Sequence, residues 1–188
     1  MMTAVADQDI LDSFRSGDRE AAFQRLVEIH GKAMYNIALF TLNDEILAQD
    51  ATQDAFIRIY RGLGRFKGTA QLSTWMYRIV KNVCYDYLRK QRPAGLDEEF
   101  DEEALADTAG TDPGTAYQSN WRHAQLRRAV GQLPQKQRLA ITLHYFQELG
   151  YEEVAAVMDM PLGTVKSYLH RAKAALAERL GEEERSFA

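Results

Sequence analysis

Residues 93–118 hold eight acidic side chains and no Lys or Arg, and this stretch does most to limit what the chain can fold into. Its apolar residues are scattered, Gly and Thr recur, and Pro113 interrupts it. Such a composition buries too little surface to offset the entropy of ordering. It reads as a flexible acidic linker that divides the 188 residues into two folded parts, 1–92 and 119–188. Arg92-Pro93-Ala94-Gly95 closes the first part, because Pro and Gly do not continue a helix.

The same stretch sets the overall charge. The chain is formally −4, yet residues 1–92 carry 13 basic against 11 acidic side chains, and residues 119–188 carry 10 against 8. Each folded part is therefore slightly basic. Within residues 65–92, seven cations (Arg65, Lys67, Arg78, Lys81, Arg89, Lys90, Arg92) face Asp86 alone. Charge asymmetry of this kind points to a polyanionic partner.

Several classes drop out early. A single cysteine, Cys84, gives neither a disulfide framework nor a multi-cysteine metal site. No run of about 18 apolar residues occurs, so no membrane insertion is expected. Residues 1–10 carry acids without a basic stretch or an apolar run and do not read as a signal peptide, which gives a cytoplasmic protein. His30, His123, His144 and His170 lack metal-ligand spacing, and no Gly-rich phosphate loop is present. No catalytic residue, metal or cofactor is expected.

Apolar spacing in both parts follows the helical period and hardly ever the strand period, which predicts an all-α chain of two small helical domains. The pattern predicts helices at 7–16, 18–30, 32–42, 44–62 and 73–91, then at 116–131, 135–147, 151–158 and 162–180. Asp18 and Asn43 are candidate caps, and Ser73 or Thr74 opens the fifth helix.

Three faces carry chemistry. In the C-terminal part a short helix, the turn Asp159-Met160-Pro161 and a second helix form a helix-turn-helix. Stepping 100° per residue from Val165, the residues Val165, Leu169, Ala172 and Leu176 make one apolar stripe. Gly163, Lys166, Ser167, His170 and Arg171 gather opposite, with Thr164 beside them. An anchored helix with a polar, basic outer face is what reading a major groove requires. In the N-terminal part, Met76, Ile79, Val80, Val83 and Tyr87 mark the inward side of one helix. Arg78, Lys81, Asn82, Tyr85 and Arg89 mark its outer side, with Trp75 at the edge, either stacking on bases or packed in the core. Cations, an amide and aromatics together suit single-stranded or opened DNA. The preceding loop, with Lys67, Gly68 and Thr69, is basic, polar and able to wrap an extruded base. Finally, Asp50, Gln53, Asp54, Ile57 and Arg61 share one side of a helix whose other side is Ala55, Phe56, Ile59 and Tyr60. Spacing alone reads that first side as an ordinary solvated surface, though an exposed Ile among carboxylates also fits a protein contact.

The motifs Asp50-Ala51-Thr52-Gln53-Asp54-Ala55-Phe56-Ile57-Arg58-Ile59-Tyr60-Arg61, Ser73-Thr74-Trp75-Met76-Tyr77-Arg78-Ile79-Val80-Lys81-Asn82, Leu133-Pro134, Tyr151-Glu152-Glu153-Val154-Ala155, Gly163-Thr164-Val165-Lys166-Ser167 and His170-Arg171-Ala172 stand in this order. Together they resemble the bacterial RNA polymerase sigma factors of the extracytoplasmic-function (ECF) group, over residues 22–92 and 121–180. The resemblance implies sigma regions 2 and 4 joined by the linker, and a role in directing core polymerase to promoters and opening them, in a stress or envelope response. It implies that Asp50, Gln53, Asp54, Ile57 and Arg61 meet the β′ clamp helices, with the β flap as the further polymerase contact. It assigns Lys67, Gly68, Thr69, Trp75, Arg78, Lys81, Asn82 and Arg89 to the −10 element. It assigns Gly163, Thr164, Lys166, Ser167, His170 and Arg171 to the −35 duplex. An anti-sigma factor is a further implied partner. The linker is then either a plain tether or a mimic of nucleic acid in polymerase channels.

The chain departs from the family pattern at two places. Tyr168 stands where an Arg is usual, removing one expected cation. Ala51-Thr52 replaces the common Leu-Val, which alters the packing beneath the polymerase-binding helix. No further C-terminal domain is expected after Leu180. A stand-alone helix-turn-helix regulator would explain residues 151–173 but would leave the faces of Asp50 and Trp75 without a purpose.

Overall fold

The computed structural model describes residues 2–91 and 120–186. The expected acidic linker lies outside them. The chain divides into two compact units, Met1–Gln91 and Arg92–Ala188. Among the described residues all regular structure is helical.

The first unit contains α1 (Met2–Ser16), α2 (Arg19–Leu42), α3 (Glu45–Leu63) and α4 (Leu72–Gln91). α2 packs against the other three, and α4 also packs against α3. Ile10, Leu26, Met34, Ile37, Ile59, Leu63, Met76, Val80 and Val83 are fully buried at this junction. Each such side chain contributes about 1.5–3 kcal/mol relative to exposure. One break expected from the sequence does not occur: α2 runs straight through Gly31. A lone glycine costs a helix only about 1 kcal/mol, and the stripe Leu26, His30, Met34, Ile37 buries on both sides of it. A Cβ added at Gly31 would meet Val27 at 3.6 Å and the Phe56 ring at 3.7 Å, ordinary packing distances that a side chain could occupy.

Two expected caps also shift. Asp18 precedes α2 but makes no side-chain cap bond. Asn43 ends α2 in the left-handed region (φ 53°), donating its N–H to Leu39 O, and the neighbouring Asp44 opens α3 by accepting from Leu47 N at 2.9 Å. Asn tolerates that conformation better than most residues. α1 begins near Met2 rather than at residue 7. Its Asp7 is buried and its Oδ1 lies 2.7 Å from His30 Nε2, which ties α1 to α2.

The second unit contains α5 (Asn120–Gly131), α6 (Gln135–Ile141), a π turn (Thr142–Phe146), α7 (Tyr151–Met158) and α8 (Leu162–Ser186). Its core holds Val130, Leu133, Leu139, Leu143, Val154, Val157, Val165 and Ala172. The helix expected over 135–147 changes register halfway. Thr142 donates its hydroxyl back to Arg138 O, and Gln147 N reaches Thr142 O five residues earlier. The widened turn leaves Tyr145 and Phe146 exposed while Leu143 stays buried. Among the described residues no helix is long and apolar enough to cross a membrane.

Candidate functional site

On α3, the small residues Ala48, Ala51, Thr52 and Ala55 line the buried side, with the Thr52 hydroxyl donating to Ala48 O at 2.6 Å. Ala51-Thr52 thus makes a close, thin contact with the core. Asp50, Gln53, Ile57 and Arg61 are exposed on the opposite side. Asp54 is half-buried, and its carboxylate accepts the Tyr87 hydroxyl from α4 at 2.9 Å. Burial of the phenol, followed by this bond to a carboxylate, holds Tyr87 above its ordinary pKa. Asp54 is therefore partly structural, whereas Asp50 is purely a surface group. Ile46, 73% exposed, continues the row of Asp50, Gln53 and Ile57 at helical spacing. The sequence reading missed it, although its position one turn before Asp50 was the available signal.

Phe56 and Tyr60 were expected to point inward. Instead Phe56 is half-buried and Tyr60 is 43% exposed. Both pack edge-on against Phe23, and Tyr60 also meets Phe14. Phe14 of α1 and Phe23 of α2 thus cover these rings only in part.

Before α4, the loop at residues 64–71 exposes Lys67, Gly68 and Thr69, with Gly68 at φ 70°. That left-handed backbone suits glycine. Its inner end is fastened. Phe66 is buried against Trp75 with ring centroids 5.2 Å apart, and Arg15 donates to Phe66 O at 3.2 Å. Trp75 is half-buried and lies over Gly62, where an added Cβ would fall 3.0 Å from the indole. The indole therefore serves the loop's packing while the residue stays partly accessible.

Along α4, Arg78 and Asn82 are exposed as expected. Lys81 is not: it is 8% exposed, with its amine 5.9 Å from the Tyr85 ring centroid. This corrects the expected cationic face. α4 is covered by both α2 and α3, and the long aliphatic stem of a lysine packs readily at such a margin. Arg89 is exposed but pairs with Asp86, which also accepts from Arg58 at 3.0 Å. Tyr87, expected in the core, is half-buried.

In the second unit, α7 presents Val154, Val157 and Met158 inward, and α8 presents Val165, Leu169 and Ala172. The two helices meet across Asp159, whose left-handed backbone (φ 59°) ends α7. Pro161 O then accepts from Thr164 N and Val165 N to start α8. Glu153 accepts from Gly150 N at 2.8 Å and fixes the start of α7. Gly163, Lys166, Ser167, His170 and Arg171 are all exposed, and Thr164 half-exposed, as the helical spacing predicts. Ser167 donates to Gly163 O at 2.9 Å, which leaves its oxygen as an acceptor. Arg171 lies with its guanidinium carbon 5.2 Å from the Tyr168 ring centroid. Behind the helix pair, His144 Nδ1 donates to Leu149 O at 2.7 Å, and the imidazole sits between Tyr145 and Tyr151. Among the described residues no group of three or more His, Cys, Asp or Glu stands close enough to hold a metal.

The family profile for sigma-70 region 2 matches residues 26–94, and that for sigma-70 region 4 matches residues 123–176. The RNA polymerase sigma-H factor of Pseudomonas aeruginosa is 35% identical over 96% of this chain and 96% of its own. The ECF RNA polymerase sigma-E factor of Escherichia coli is 31% identical over 96% and 97%. The chain is a sigma factor of the ECF group. Solved structures agree on the fold. The sigma factor RpoE in complex with the anti-sigma factor NepR, from Bartonella quintana, superposes with a TM-score of 0.70 at 23% identity, covering 85% of this chain and 96% of its own. CnrH in complex with the cytosolic domain of CnrY gives 0.69 at 23% identity, over 94% and 98%.

As a sigma factor the chain is a transcription initiation factor that binds core RNA polymerase and recognises promoters. The region 2 match takes in most of α2 with α3 and α4, and the region 4 match spans the helix-turn-helix.

Proposed function

We propose that the three faces divide the work of initiation. The exposed row Asp50, Gln53, Ile57 and Arg61, with Asp54 beside it and Ile46 extending it, docks on the β′ clamp helices. Lys67, Gly68, Thr69, Trp75, Arg78, Asn82 and Arg89 take up the opened −10 strand. Lys81 acts beneath them by holding Tyr85. Gly163, Thr164, Lys166, Ser167, His170 and Arg171 read the −35 duplex, and the second unit also meets the β flap. In this division residues 1–92 and 119–188 are the two working modules, and residues 93–118 are the tether. Linking them raises the effective concentration of one module once the other is bound, so that each DNA contact can be individually weak.

The protein forms and breaks no covalent bond in this role. Its binding energy offsets the few kcal/mol of unstacking needed to extrude a base. It acts in the cytoplasm, within a stress or envelope response. An anti-sigma factor restrains it by covering the polymerase or DNA faces, a reading supported by the two related structures solved with such partners or with a cytosolic domain bound.

The observation that carries the proposal is the exposed row Ile46, Asp50, Gln53, Ile57 on α3, which the helix-turn-helix alone would leave without a purpose. A reconstitution tests it. Purified chain plus core polymerase should start promoter-dependent transcripts, and Asp50→Arg should lower their yield roughly tenfold or more, the scale of a lost interface charge. Asp50 is the cleaner probe than Asp54 because no α4 hydroxyl depends on it. Initiation unchanged by Asp50→Arg would move the polymerase contact elsewhere. Tight duplex binding with no association to core would mark a self-sufficient regulator.

A further inference from the structure

The outer face of α8 holds an aromatic ring among its polar groups. Tyr168 is half-buried beside the stripe Val165, Leu169, Ala172, which fixes its backbone against α7. Arg171, three residues on, is exposed, and its guanidinium carbon lies 5.2 Å from the ring centroid. Residues three and four apart are neighbours on a helix surface. The ring therefore stands between the anchored side and the groove-facing row of Lys166, Ser167, His170 and Arg171.

A guanidinium over an aromatic face is held by the ring quadrupole, and the planar fork of arginine matches the acceptor pair on a base edge. A free arginine would lose rotamer entropy on meeting a base, which weakens the contact. One already stacked loses less.

We propose that Tyr168 is a positioning residue for Arg171. It presents the guanidinium to one base pair of the −35 duplex in a fixed orientation, so that Arg171 reads a base edge rather than a phosphate. This rests on the assignment of α8 to the −35 duplex. Where Tyr168 replaces a usual arginine, the helix has one phosphate cation fewer and one base contact that is better ordered. Base reading carries specificity, while phosphate contacts carry salt dependence.

The test uses the full chain bound to core polymerase and a duplex pool randomised over roughly one helical turn upstream of the start region. Arg171→Ala identifies the base pair that the guanidinium reads. Tyr168→Leu should lower preference at that same pair about two- to fivefold, the scale of a surface cation–aromatic contact. Preference at the other pairs and the salt slope should not change. Tyr168→Phe, which keeps the ring and the fold, should retain the preference. The double variant Tyr168→Leu/Arg171→Ala should lose no more at that pair than Arg171→Ala alone.

Uniform weakening in Tyr168→Leu, loss in Tyr168→Phe, or additive losses in the double variant would overturn the proposal. So would an Arg171→Ala variant that shifts no base pair. If Lys166→Ala still weakens binding in that case, the −35 assignment stands without the positioning role. A wild-type chain that selects no upstream sequence at all overturns both.

Discussion

α4 and α8 both carry cations beside aromatic rings, yet they divide their circumference differently. α4 lies against α2 and α3 and buries Leu72, Thr74, Met76, Tyr77, Val80, Lys81, Val83 and Cys84. Little outer surface remains, so one lysine is drawn under and Arg89 is matched by Asp86. α8 meets its neighbours along the narrower row Val165, Leu169, Ala172 and leaves four polar and basic groups in the open. A central helix with a short basic motif yields a shaped, partly aromatic surface, which suits gripping a splayed strand. A peripheral one yields a continuous donor row, which suits a duplex groove.

The largest test of this contrast is structural. Val165 is fully buried and within the stripe that holds α8. Val165→Asp should destabilise the second unit by about 4 kcal/mol or more, because it buries an unpaired carboxylate. Amide NMR signals of the second unit should collapse while those of α1 to α4 persist. Loss of both sets would show that the units do not fold separately.

Asn82 offers the next largest effect. It is exposed on α4 among few competing groups. Asn82→Ala should cut promoter opening by roughly fivefold or more, the scale of one specific base contact, while leaving closed-complex binding intact. Permanganate reactivity of unpaired thymines measures this, and unchanged reactivity would remove Asn82 from the strand face.

Alkaline pH should separate the two units as well. Burial pushes the Cys84 thiol from its ordinary 9.0 up to about 12, and burial followed by the Asp7 charge pushes Tyr77 from 10.0 up to about 12. Above pH 9 the unfolded thiol gives up its proton while the folded one keeps it, so stability falls as pH rises through the window from 9 to about 12. The slope is on the order of 1 kcal/mol per pH unit from the thiol alone, and it acts on the first unit only. Cys84→Ala should flatten it. Alkylation of the native thiol at pH 9 as fast as in the unfolded chain would contradict the burial.

The smallest effect separates a displayed lysine from a hidden one. Lys166→Ala should lower the logarithmic salt slope of promoter binding by about 0.9, one phosphate contact. Lys81→Ala should leave the slope alone and lower the stability of the first unit by about 1 kcal/mol. Equal slopes lost in both variants would return Lys81 to the DNA face.

The two-unit, all-helical architecture and the exposed face of α8 were legible because simple 3.6-residue spacing governs a helix that buries a single stripe. On α3 it placed Asp50, Gln53, Ile57 and Arg61 outward but set Phe56 and Tyr60 too far inward. The same arithmetic failed where a helix is enclosed. Lys81 lies at the margin of α4, and periodicity states an angle without saying how far neighbouring helices reach around it. Gly31 looked like a break, since sequence shows its conformational cost but not the burial of Leu26, His30, Met34 and Ile37 that carries the helix through it. The π turn at Thr142–Phe146 left no local mark, as it depends on the Thr142 hydroxyl and on Leu143 reaching the core. Pairings such as Tyr87 with Asp54 join residues far apart in the chain and follow only from the packed structure.

The packing of Trp75 against Phe66 makes the chain its own optical instrument. The sequence has two tryptophans, Trp75 and Trp121. With Trp121→Phe, all indole emission comes from a ring lodged between Gly62 and the start of the basic loop. If the loop takes up the opened strand as proposed, the polarity or collisions around this fluorophore change on entry, and that step can be timed by light with no label attached.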